Sequence, residues 1–132
     1  MQANTPPNTH LGIDRRLCGT PVHIADGFAR VRMGTTADMT ADDRGLVHGG
    51  FVFGLADYAA MLAVNDPNVV LGGADTRFLK PVARGDVVQA EARVVASRKR
   101  KRTVDVSVTR GDDVVMTGTF TCFVLGAHVL DG

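Results

Sequence analysis

The sixteen residues Gly49–Val64 carry Asp57 as their only charged member and are otherwise apolar or small on every helical face. No proline interrupts the run before Pro67, so the pattern predicts one helix, buried all round, that stops near Asn65. Such a helix must be enclosed by the rest of the chain. At 132 residues, a single domain can bury roughly two-thirds of its unfolded surface, which is enough to do so.

An ionised carboxylate inside that run costs several kcal/mol unless something compensates it. Its neighbours at three and four residues' distance, Phe53, Gly54, Ala60 and Met61, offer neither a cation nor a side-chain donor. Compensation must come from outside the helix, and Asp57 therefore reads as the working group of an active site. The plainer alternative is an aspartate on a solvent-facing strip, or one bonded to a backbone amide.

Around the helix the pattern is that of strands. Phe28–Met33 alternates, with Ala29, Val31 and Met33 on one side and Arg30 and Arg32 on the other. Further strands are expected over Val69–Leu79, Val87–Ala96, Thr103–Thr109 and Val114–Val124, with turns at Arg84-Gly85-Asp86 and Gly111-Asp112-Asp113. One long buried helix with four or five antiparallel strands is most simply an α+β layer in which the sheet wraps the helix. Residues 1–10 read as a flexible start, 11–126 as the folded domain and 127–132 as a tail.

Several function classes lack residues to stand on. A net charge of +1 gives no pull toward nucleic acid or acidic membranes. The stretch Leu46–Val64 falls short of the ~20 apolar residues that span a bilayer, and the first residues do not form a secretory signal, so a cytoplasmic location is the default expectation. Cys18 and Cys122 form no C-x-x-C pair, and Cys122 shares strand parity with Phe120 and Val124 as a packed thiol would. His10, His23, His48 and His128 show no paired ligand spacing, and Ser97 and Ser107 lie outside any G-x-S-x-G elbow. Neither a metal nor a cofactor is implied.

The pattern His48-Gly49-Gly50-x6-Asp57, followed by Arg77-Phe78-Leu79-Lys80-Pro81-x3-Gly85-Asp86, closely resembles the hot-dog fold thioesterases of the PaaI-like type over roughly Leu11 to Val124. The resemblance implies an acyl thioester of coenzyme A as substrate. It also implies that Asp57 serves as nucleophile or as general base on water, that His48 orients the loop or touches the thioester, and that Ser97, Arg98, Lys99, Arg100 and Lys101 lie at or near the coenzyme A contact, with Phe78 lining the same groove.

Physical chemistry supplies the rest of the site. The first N–H groups of a helix lack intrahelical partners and sit at the positive end of its dipole, and glycine lets a ligand approach them, so Gly49 and Gly50 are the candidate oxyanion donors. Close helix-to-sheet packing is their other role. His48 is equally placed to cap the helix. The run Arg98–Arg102 suits a plain solvated turn or a clamp for phosphates; a nucleic-acid patch would want aromatic stacking platforms that this chain lacks.

Gly49 and Asp57 are eight residues apart, about 12 Å along a helix, whereas reacting partners must come within about 3 Å. If both serve one carbonyl, Asp57 must meet the Gly49 amide of a second subunit across a twofold axis, which makes a homodimer the minimal active unit; a dimer of dimers is a separate expectation for the assembly. One departure from the related enzymes stands six residues before His48, where they often carry an asparagine and this chain has Asp42. An ionised aspartate cannot donate, and beside Asp57 it would resist sharing charge. The reading is an acyl-CoA thioesterase for small or medium acyl or aryl-acyl groups. Its rivals are an acyl-CoA or acyl-carrier-protein binding module of the same fold, and a hydratase or dehydratase in which His48 and Asp57 form the acid/base pair.

Overall fold

A computed structural model describes residues 4–132 of the chain. A single turn of helix, α1 (Arg15–Cys18), precedes strands β1 (Thr20–Ala25) and β2 (Phe28–Gly34). The long helix α2 (Gly49–Val64) follows, then β3 (Val69–Phe78), β4 (Val87–Arg98), β5 (Lys101–Arg110) and β6 (Asp113–Val124). The strands form one antiparallel sheet in the order β1-β2-β4-β5-β6-β3, with α2 packed on its inner face. The sheet-wrapped helix expected from the sequence is present, and the arrangement is the hot-dog fold.

Small residues let the two layers approach. Ala29 on β2 and Ala90 and Ala92 on β4 are fully buried, and so are Ala56, Ala59 and Ala60 of the helix. Larger side chains, Tyr58, Leu55, Phe120 and Met116 among them, fill the spaces around that contact. The alternation read from the sequence holds on β4 and β5: Val88, Val104, Val106 and Val108 point inward while Arg93 and Asp105 are exposed. The helix ends where Asn65 adopts the left-handed conformation at φ 55 and returns its N–H to the Met61 carbonyl, two residues ahead of Pro67.

The structure differs from the sequence reading in three respects. There are six strands, because Thr20–Ala25 pairs with β2 as an edge strand. Pro21 cannot donate to a ladder and is tolerated at that edge, beside a register shift between Pro21 and His23. β4 and β5 also extend into the basic run, so that only Lys99 and Arg100 form the turn. Finally, residues 4–10 are tied down by hydrogen bonds. Thr5 N–H reaches the Ile24 carbonyl at 2.7 Å, and the Asn65 side chain accepts from Asn8 N–H at 2.7 Å while donating to the Pro6 carbonyl at 3.1 Å. The flexible start expected over residues 1–10 therefore does not extend to 4–10; residues 1–3 lie outside the described residues. No described helix is long and apolar enough to cross a membrane.

Candidate active site

Asp57 stands two turns into α2 on the one face of the helix that the sheet leaves partly open, in line with Gly50, Phe53 and Gly54. Its Oδ1 is buried and accepts no hydrogen bond from any described residue. Burial pushes the carboxyl pKa up to about 6, with no cation to pull it back. A carboxylate held this way is a stronger base when ionised and is still ionised at neutral pH.

A cavity of about 400 Å³ opens beside it. Met61, Val69, Val70 and Leu71 give it apolar walls, and Thr9, His10, Asn68 and His128 contribute polar ones. None of these four polar residues was singled out from the sequence. His10 and His128 come from opposite ends of the chain and share no motif, so only the folded topology brings them together. Within one protomer His48 does not line this cavity.

The start of α2 lies in a second cavity of about 300 Å³, lined by Gly49, Val52, Phe78, Leu79 and Val82. A Cβ on Gly49 would meet the Phe78 ring at 3.4 Å, so the glycine keeps this wall thin. His48 has extended backbone angles, φ −63 and ψ 130, and its side chain makes no capping bond. Its exposed imidazole instead folds over Gly50, whose Cβ would come within 3.1 Å of the ring. Gly49 and Gly50 N–H find no acceptor among the described residues, as the geometry of a helix start requires.

Asp42 does not meet Asp57 within the protomer. Its Oδ1 accepts from Arg44 N–H at 3.0 Å and Leu46 N–H at 3.1 Å, closing the loop that leads to His48. It faces a separate polar cavity with Thr40, Arg44 and Arg84. An asparagine Oδ1 would accept the same two bonds. What the aspartate removes is only an amide donor.

The basic hairpin is solvated. Ser97, Arg98, Lys99, Arg100 and Lys101 are exposed, Lys99 takes φ 55 in the turn, and the Arg102 guanidinium donates to the Lys99 and Lys101 carbonyls at 2.7 and 3.1 Å. The Arg100 carbonyl accepts from Val124 N–H, and Leu125 N–H donates to the Asn68 carbonyl, so the hairpin borders the wall of the Asp57 cavity. Phe78 is elsewhere. It pairs with Met116 on β6, whereas Lys101 pairs with Phe123 at the far end of the same strand. Within one protomer Phe78 belongs to the Gly49 cavity and lies away from that protomer's own hairpin. Burial, with a further push from the Asp57 charge, raises the Cys122 thiol to about 12, and burial raises the Cys18 thiol as well.

Comparison with known proteins agrees with the geometry. Residues 44–117 match the family described as the thioesterase superfamily. The chain is 52% identical over 118 residues to a protein of Aquifex aeolicus named methylthioribose-1-phosphate isomerase, covering 89% of this chain but only 26% of that one. It thus spans about a quarter of that relative's length. A crystal structure of an uncharacterized protein from Pyrococcus horikoshii superposes with a TM-score of 0.97 at 49% identity, over 98% of this chain and 100% of the other. The PaaI protein from the E. coli phenylacetic acid degradation operon superposes with a TM-score of 0.77 at 27% identity, over 85% and 83%. Family match and fold together place this chain in the thioesterase superfamily, as a hot-dog protein of the PaaI-like type.

Proposed function

We propose that the protein is an acyl-CoA thioesterase that hydrolyses a small or medium acyl or aryl-acyl thioester to the free acid and coenzyme A, with no cofactor of its own. The carrying observation is the Asp57 carboxylate, unpartnered at Oδ1 and raised to about 6, beside a cavity in an otherwise apolar helix. Asp57 attacks the carbonyl carbon itself or takes a proton from the water that does so. The Gly49 N–H, at the positive end of the helix, receives the oxyanion, and His48 flanks the same carbonyl. The exposed cations Arg98–Lys101, next to Ser97, hold the coenzyme A phosphates.

Gly49 and Asp57 occupy different cavities of one protomer, which supports a site completed by a second copy. Midway between them along α2 is Phe53, next to Gly54, where a Cβ would meet nothing within 4 Å. A twofold axis at that bare point would lay two helices antiparallel and set each Asp57 opposite the partner's Gly49.

Thiol release over a panel of acyl-CoA substrates tests the reading. Asp57→Asn is expected to keep the fold and lose at least ~100-fold in turnover; a folded mutant that releases thiol at the wild-type rate would sink the assignment. A second reading, hydratase or dehydratase, is favoured by the presence of His10 and His128 on the cavity of Asp57. An enoyl or hydroxyacyl product in place of free thiol would establish it.

A further inference from the structure

Hydrolysis as just described gives no task to the polar wall of the Asp57 cavity. That wall is nevertheless built. Asn65, at the end of α2, clamps the chain at Pro6 and Asn8, and the segment then runs through the buried Thr9 into His10, which adopts φ 55, a conformation few non-glycine residues take. The half-buried His10 ring lies 6.3 Å from the Tyr58 ring, and its Nδ1 is 2.8 Å from the Thr9 hydroxyl. Burial lowers the His10 pKa and so favours the neutral imidazole. With Nδ1 engaged, Nε2 has no partner among the described residues.

Across the cavity the same economy recurs. His128 commits Nδ1 to the Leu130 N–H at 3.1 Å, which leaves its Nε2. The Asn68 side-chain amide makes no hydrogen bond among the described residues, although its backbone is tied at both ends. Three side chains with unspent hydrogen-bonding capacity therefore ring a trough floored by Met61, Val69 and Leu71. A plain hydrocarbon chain would leave that capacity unused. An amphiphilic segment bearing amide or hydroxyl groups would use it.

We infer that His10 is a substrate-contacting residue that sets specificity: its imidazole, together with Asn68 and His128, hydrogen-bonds an amide- or hydroxyl-bearing segment of the thioester. The inference rests on the Asp57 cavity being the seat of that thioester. Two parts of an acyl-CoA carry such groups, the pantetheine arm and a hydroxylated acyl chain. The hydrogen-bonding chemistry is common to both.

Non-hydrolysable thioethers separate these sources without requiring turnover. S-hexyl-CoA and S-(6-hydroxyhexyl)-CoA are titrated calorimetrically into wild type, His10→Ala and His10→Asn. Loss of one hydrogen bond is expected to weaken binding about threefold to tenfold in His10→Ala. An equal loss on both probes assigns the contact to pantetheine; a loss on the hydroxylated probe alone assigns it to the acyl chain. His10→Asn, which tolerates the left-handed backbone and keeps a polar group, should recover part of the loss and carries the test if the alanine variant does not fold. In wild type the ¹⁵N resonance of His10 Nε2 should move on addition of the probe that makes the contact. Unchanged affinity for both probes, an equal loss with an unmoved Nε2 resonance, or a wild type that binds neither probe at millimolar concentration would overturn the inference. A protein that binds them through His10 yet releases no thiol from thioesters would keep this assignment and lose the thioesterase one.

Discussion

Asp57→Asn should make the protein more stable at neutral pH while disabling it. The asparagine is nearly isosteric and leaves the same buried oxygen unpartnered, so the change that matters is the charge. In the folded chain the carboxyl is raised to about 6 from its ordinary 3.8. Two units correspond to about 3 kcal/mol of differential stabilisation of the protonated form. Solvent reaching the open cavity screens part of this, leaving a cost of about 2 kcal/mol. The sign follows from proton linkage. An acid whose folded pKa is raised holds its proton more tightly when folded, so the wild type keeps this contribution below pH 3.8, loses it between pH 3.8 and about 6, and runs level above. The mutant has no such step. Urea unfolding at fixed protein concentration, at intervals from pH 3.5 to 7.5, should show the mutant's advantage opening by about 2 kcal/mol across that window and holding thereafter. A gap that is flat with pH, or that opens toward acid, would refute burial as the cause of the raised pKa. The rate should rise through the same pH region, because the working form is the ionised one.

Changing Arg98, Lys99, Arg100 and Lys101 together to serine should raise KM for coenzyme A thioesters and hardly touch truncated substrates that lack the nucleotide, since remote phosphate contacts contribute uniform binding. Equal effects on both substrates would return the hairpin to an ordinary solvated turn. Asp57→Asn and Gly49→Val homodimers should each be inactive, the valine being accommodated by a shift of the exposed Phe78 ring. After subunit exchange between them, roughly a quarter of wild-type activity should return, because half the dimers are mixed and each carries one intact site. Exchanging mixtures that stay dead would separate Asp57 from the Gly49 amide.

The helix and its carboxylate were legible because a charge in an apolar run is a local contradiction, visible without any knowledge of the fold. The inward valines of β4 and β5 were legible for a related reason, since period-two alternation is a property of neighbouring residues. β1 was not, because Pro21 speaks against a strand and only the edge position makes it harmless. The basic run looked like loop because charge is a poor guide to pairing; the register Arg98 to Lys101 shows that long cationic side chains stand comfortably on a solvated ladder. Thr9, His10, Asn68 and His128 were beyond reach from sequence alone. Their meeting depends on where both ends of the chain are laid by the sheet, and no spacing rule connects them.

The convergence of the two ends has a practical side. His10 and Val129 both border one cavity, so a bulky label attached beside either residue lies within reach of the Asp57 mouth. Kinetic comparisons among preparations labelled there would then report on the label as well as on the protein. Conversely, the same proximity makes positions beside His10 and Val129 natural places for a fluorophore pair that brackets the cavity.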